Sequence, residues 1–214
     1  MSLSGSSLAD TTGVAIQMTL DAYRGRIGWI LNPLAVTLHR HGVSANQLSV
    51  LSLVSAIIAG TAFYVQLLPV AIAAIACNAL FDALDGHLAR RFNSESRKGD
   101  LIDHVGDRYA DIFIFGGITL GGYVAWQIGL IAILGILMTS YLGTQAQALG
   151  VGRNYRGLLG RADRLVLLFF VASLNLLFPA NIVYFPLLGW MMVFVAVVSN
   201  ITALQRFYLA YQEV

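Results

Sequence analysis

Asp82 and Asp85 stand three residues apart, Asp103 and Asp107 four apart, and Asp111 one helical turn further, all within FDALDGHLARRFNSESRKGDLIDHVGDRYAD. On helices such spacings place side chains on a shared face. Two helices joined by RRFNSESRKG would then aim four carboxylates into one recess. Both flanking segments are apolar. Aspartate is too short to snorkel far, and a charge at the centre of a membrane span costs about 2.5–3.5 kcal/mol on insertion. Four like charges also repel one another strongly at reduced dielectric. Arg90 and Arg108 offset two of them and leave two. All-oxygen donors suit hard dications, Mg²⁺ first and Mn²⁺ next, and two such ions balance four carboxylates. Beside them, Gly86, Ala89 and Gly99 leave room for a bulky ligand to lie against backbone, and Arg90 offers a cation to an anionic group. Metals, a flat pocket and an arginine point to a nucleotide diphosphate.

The elements that position these residues follow from composition. The 214 residues are 57% hydrophobic and 11% charged, with a mean hydropathy of +0.73. A soluble domain carries about a quarter charged residues, so an all-α integral membrane protein is expected. Spans of roughly 20 apolar residues are read at approximately 44–66, 69–90, 100–125, 127–150, 161–180 and 183–206. Ahead of them, TLDAYRGRIGWILNPLAVTLHRHG mixes apolar and basic positions around Pro33. It reads as a cytoplasmic amphipathic helix lying in the headgroup layer, with Trp29 as an anchor. The chain thus divides into residues 1–43, a tail and interfacial helix, and residues 44–214, a six-span domain. MSLSGSSLADTTG lacks a basic and apolar leader pattern, so the first span is expected to direct insertion.

The cations orient the bundle. Arg24, Arg26 and Arg40 precede the first span; Arg90, Arg91, Arg97 and Lys98 follow the second; Arg153, Arg156, Arg161 and Arg164 follow the fourth; Arg206 follows the sixth. The other connections carry no Lys or Arg. The positive-inside rule puts both termini and both basic loops in the cytoplasm. A multi-pass protein of the plasma membrane results, its carboxylates about 5–12 Å below the cytoplasmic surface. Cys77 reads as a small buried hydrophobe.

The spacing Asp82-x2-Asp85-Gly86-x2-Ala89-Arg90-x8-Gly99-x3-Asp103-x3-Asp107 resembles the CDP-alcohol phosphotransferase signature at every fixed position. GVSANQLSVLSL likewise resembles that family's (T/S)PNxLT segment, with Asn46 kept and Ala45 where proline is usual. The resemblance implies that Asp82, Asp85 and Asp103 bind two divalent metals, Mg²⁺ or Mn²⁺, and that Asp107 contributes to the second. It makes Asp107 the general base toward an acceptor hydroxyl. Gly86, Ala89 and Gly99 would line a cytidine pocket, and Arg90 and Asn46 would contact phosphates. The acceptor oxygen would attack the lipid-bearing phosphorus of a CDP-linked lipid, and CMP would leave. Relatives form homodimers, so a homodimer is implied.

GDRYAD, TSY with ALG, and GRADRLVLL resemble the branch that makes inositol-phosphate lipids. That implies Arg161 and Arg164 at an acceptor phosphate; Arg153 is a further candidate there, and Gln145 and Gln147, which stand off the branch pattern, are expected to hydrogen-bond acceptor hydroxyls. SYLGTQAQALG departs from the branch, with Gly143 and Gln145 where cations are usual. Glycerol phosphate therefore stands beside inositol phosphate as acceptor, and a free alcohol such as serine or inositol is the alternative. The archaeal look of the sequence points to a CDP-archaeol donor. A divalent-cation transporter is the competing class, with a site expected near the midplane. A structural scaffold is another. No nucleic-acid signature is present. Arg108 and Asp111 are spaced to pair, His87 and His104 read as polar wall, and Gly117-x3-Gly121 permits close helix contact within the chain or across a homodimer.

Overall fold

The structure is a computed structural model that describes residues 24–151 and 159–214. Among these residues the fold is all-helical: α1 (Arg24–Arg40), α2 (Ala45–Tyr64), α3 (Leu68–Arg91), α4 (Arg97–Leu120), α5 (Trp126–Ala148), α6 (Arg161–Leu177) and α7 (Leu187–Glu213). Helices α2 to α7 fall on the six expected apolar segments, with ends moved by a few residues. Pro33 is accommodated inside α1.

Four helices, α2, α3, α5 and α7, are long and apolar enough to cross a membrane by themselves. α4 is not, because it carries Arg97, Lys98, Asp100, Asp103, Asp107, Arg108 and Asp111. α6 has 17 residues, about 26 Å of helix, short of a hydrocarbon layer about 30 Å thick. Both pack between apolar neighbours, α4 against α2 and α5, and α6 against α3 and α7.

Three caps set the helix starts that matter for the carboxylates. Ser44 Oγ accepts from the Gln47 N–H while Gln47 Oε1 accepts from the Ser44 N–H, a reciprocal capping box opening α2. Ser96 Oγ accepts from the Gly99 N–H and opens α4. The Asp163 carboxylate accepts from the Gly160 N–H and opens α6.

Phe63, Ile75, Ile114, Phe115, Ile118, Ile136, Leu168, Leu188 and Met192 fill the main core. A smaller cluster of Leu31, Leu48, Leu84 and Leu88 seats α1 on α2 and α3 near the carboxylates, where His39 also stacks on Phe92 at 3.7 Å. Asn78 Nδ2 donates to the Ser52 carbonyl at 2.9 Å, locking α3 to α2. Cys77 corrects its expectation: it lies exposed on the outer face of α3, compatible with lipid because a thiol is nearly apolar.

α2 and α4 approach through glycine. A Cβ on Gly60 would strike the Phe113 carbonyl, one on Gly117 the Gly60 carbonyl, and one on Gly121 the Phe63 carbonyl. The Gly117-x3-Gly121 spacing therefore serves a contact within the chain. Gly116, its neighbour, faces open space. Gly117→Ala is expected to destabilise by about 1–3 kcal/mol, the usual range for overpacking. Gly116→Ala is expected to be neutral or to stabilise by up to about 1 kcal/mol through helix propensity. Melting of the two detergent-solubilised variants, followed by size-exclusion recovery, checks this pair.

Candidate metal and nucleotide site

α3 ends and α4 begins at the same end of the bundle, so the turn through residues 92–96 brings their carboxylates together. One oxygen each from Asp82, Asp85 and Asp103 lies within 4.8 Å of the other two. A dication takes oxygen ligands at about 2.0–2.6 Å, so this separation suits three donors on one ion. Asp85 is the most enclosed of the three, at 6% exposure.

Asp107 stands just beyond that trio. Its Oδ1 is 2.9 Å from Arg161 Nη1, and its Oδ2 is 3.5 Å from Arg108 Nη2. The same Arg161 Nη1 donates to Asp82 Oδ1 at 2.8 Å. One guanidinium therefore joins the three-carboxylate cage to Asp107. Arg161 comes from α6, which packs on α3, a proximity that sequence spacing does not carry. Its Nη2, like Arg108 Nε, is buried without a hydrogen bond.

The expected Arg108–Asp111 pair does not form. Asp111 Oδ2 instead accepts from Arg164 Nη2 at 3.2 Å, both residues being 2% exposed. Arg108 turns to Asp107, its sequence neighbour. The reason is burial: an enclosed guanidinium without a counter-charge costs several kcal/mol, whereas Arg108 keeps more access to water at 30% side-chain exposure.

Beside the cage opens a recess of about 440 Å³ with Asp85 and Asp103 on its wall. Asn46, Gly86, Ala89, Arg90 and Gly99, chosen from sequence, all line it. The glycines keep it open. A Cβ on Gly99 would come within 3.1 Å of Ser96 Oγ and 3.2 Å of Asn46 Oδ1, and one on Gly86 within 3.1 Å of Arg90 Nη1. Cage and recess share walls, so a ligand in the recess reaches the carboxylates.

The acceptor candidates scatter. Arg161 sits at the cage. Arg164 is enclosed, committed to Asp111 and, at 3.4 Å, to the Leu159 carbonyl. Gln145 is half-buried on α5 and Gln147 is exposed; neither lines the recess. Arg153 and Arg156 lie outside the described residues. His104 hydrogen-bonds the Asp100 carbonyl at 2.8 Å. Sequence reasoning missed Ser49, whose Oγ donates to Asp85 Oδ2 at 2.7 Å. Its position one turn after Asn46 was the available signal.

Comparison with known proteins accords with this geometry. The sequence model of the family described as CDP-alcohol phosphatidyltransferase matches residues 42–202. The archaetidylinositol phosphate synthase of Pyrococcus horikoshii is 31% identical over 189 residues, covering 88% of this chain and 95% of that one. The phosphatidylinositol phosphate synthase of Streptomyces avermitilis is 30% identical over 83% of this chain and 76% of its own. Among solved structures, the Mycobacterium tuberculosis phosphatidylinositol phosphate synthase with CDP-DAG bound matches with a TM-score of 0.72 and 26% identity, over 85% of this chain and 94% of that one. A structure of that enzyme with manganese and citrate, 24% identical with a TM-score of 0.71 over 85% of this chain and 88% of that one, shares the fold. A pattern that runs through three-quarters of the sequence, with its acidic positions converging beside a nucleotide-sized recess, has one explanation: the chain belongs to the CDP-alcohol phosphatidyltransferase family and is an enzyme of that class.

Proposed function

We propose that this enzyme transfers the lipid-phosphate group of a CDP-linked lipid to a phosphorylated polyol, inositol phosphate ahead of glycerol phosphate, with release of CMP. The observation that carries the reading is the shared wall between the carboxylate cage and the recess. A nucleotide against Gly86, Ala89 and Gly99, its phosphates met by Asn46 and Arg90, would present its pyrophosphate to Asp85 and Asp103. The acceptor preference is supported by the relatives' named activities and by the spare N–H groups of Arg161 and Arg108 near Asp107. CDP-archaeol is the donor that the archaeal relative suggests.

In this reading Asp82, Asp85 and Asp103 hold divalent ions, Mg²⁺ or Mn²⁺, with Asp107 sharing the second. Charge supports two. Asp82, Asp85, Asp103, Asp107 and Asp111 bring five negative charges, and Arg108, Arg161 and Arg164 return three, leaving two for one dication. The pyrophosphate adds two more, which a second ion balances. Ions held there by these carboxylates would supply Lewis-acid polarisation of the phosphoryl group and offset its developing negative charge. Asp107, held by Arg161 and Arg108, takes the acceptor proton as the new O–P bond forms and the bond to CMP breaks. A transporter fits less well: α3 and α4 run unbroken past the carboxylates, and Asp85 and Asp103 lie within two turns of the helix ends.

For the membrane, we infer that α2 to α7 all cross, making residues 44–214 the six-span domain. α1 lies in the headgroup layer, and both termini and the site face the cytoplasm of a plasma membrane. Support comes from α4 and α6 packing between more apolar helices, where protein rather than lipid meets their charges, and from Trp29, 78% exposed on α1. Residues 1–23 of the expected tail lie outside the described residues. The homodimer rests on the family resemblance.

Asp107→Asn is expected to lower kcat by about 10²–10⁴-fold, the range for a lost general base, while CDP-lipid still binds; CMP release at the wild-type rate contradicts the role. Across an acceptor panel, inositol phosphate is expected to support the fastest CMP release, glycerol phosphate less, and free inositol and serine least. Fastest turnover with a free alcohol overturns the acceptor reading. On a Cys77→Ala background in intact cells, Val183→Cys is expected to react with an impermeant thiol reagent and Ser94→Cys only after permeabilisation. The opposite labelling inverts the topology.

A further inference from the structure

We propose that Ser49 is a positioning residue for the metal cage, a role that rests on the metal reading above. Asp82, Asp107 and Asp111 each meet an arginine, whereas among the described residues no ion pair with a cation forms at Asp85 or Asp103. The side-chain donor to Asp85 is the Ser49 hydroxyl, 2.7 Å from its Oδ2, alongside the backbone N–H of Gly86. That hydroxyl also lies 3.2 Å from the Ala45 carbonyl. A hydroxyl has one proton to donate, and the shorter, charge-assisted bond to a carboxylate takes it. The bond fixes the plane of the Asp85 carboxylate, so that its oxygens address the space shared with Asp82 and Asp103.

The consequence reaches further than one carboxylate. Ser49 belongs to α2, the helix that carries Asn46 into the same recess one turn earlier. The capping box at Ser44 fixes that first turn. Through Ser49, the helix that would meet the nucleotide phosphates also sets the orientation of a metal ligand. A neutral donor suits this place: a lysine or arginine here would compete with the dication for Asp85, while a hydroxyl orients the carboxylate and leaves its charge available.

The test is Mn²⁺ titration of the full-length enzyme in detergent without substrate, following the electron paramagnetic resonance signal of free Mn²⁺. Ser49→Ala is expected to weaken Mn²⁺ binding by about 10–100-fold, as for other groups that orient metal ligands. Ser49→Thr is expected to restore binding, and both variants to melt close to wild type. In the CMP-release assay, the half-saturating Mn²⁺ concentration for Ser49→Ala is expected to rise by more than kcat falls. If Asp85→Asn loses Mn²⁺ while Ser49→Ala binds like wild type, or if Ser49→Thr fails to restore binding, the Ser49 assignment is overturned and the cage stands. If wild-type enzyme takes up no Mn²⁺, the metal reading falls and this proposal with it.

Discussion

Like charges gathered where water is scarce must be neutralised, and that requirement organises this molecule. Asp82, Asp85, Asp103 and Asp107 sit close together on α3 and α4, with Asp111 fully enclosed behind them. At low effective dielectric their mutual repulsion would drive the helices apart without counter-charge. Arg161 answers at the front, bridging Asp82 and Asp107, and Arg164 answers at the back, on Asp111. Both arginines come from α6, so a helix that supplies no carboxylate to the cluster keeps the acidic pair of helices together. What remains unbalanced is the charge that suits a hard dication.

The scaffold converts that electrostatic demand into a fixed shape. α2 and α4 come together backbone against backbone through Gly60, Gly117 and Gly121 near their C-terminal ends, while Gly99 lies against Asn46 at their starts. The caps at Ser44 and Ser96 fix where those helices begin, and Asn46 and Gly99 sit inside their first turns. Removing side chains at Gly86 and Gly99 then opens the recess that a bulky ligand needs. α1 packs its leucine against Leu48, Leu84 and Leu88, supporting α2 and α3 from outside. Positions distant in sequence thus act on one small volume.

Much of this was legible in sequence because it is local. Helical spacing predicts that Asp82 and Asp85 share a face, as do Asp103 and Asp107, and the recess residues follow from the small side chains between them. Helix starts could be read from the polar breaks between apolar runs. What was not legible lies across helices. Periodicity within α4 favours Arg108 with Asp111, yet Arg164, 53 residues away, takes that carboxylate because it is buried and needs it. Arg161 was expected to await an acceptor, and its contacts with Asp82 and Asp107 depend on α6 lying against α3. Ser49 escaped notice because a serine carries little signal until its partner is known. α4 and α6 were read as spans, yet neither is sufficiently long and apolar alone, α4 for its charges and α6 for its length.

The claim beneath all of this is that Asp82, Asp85 and Asp103 converge on a divalent ion beside a nucleotide. Crystals grown with Mn²⁺ and a CDP compound, measured at the manganese absorption edge, test it directly. The account predicts an anomalous peak within coordination distance of all three carboxylates and a second peak against the pyrophosphate near Asp107. Manganese bound elsewhere, with nucleotide in the recess and no peak among those three aspartates, would contradict it.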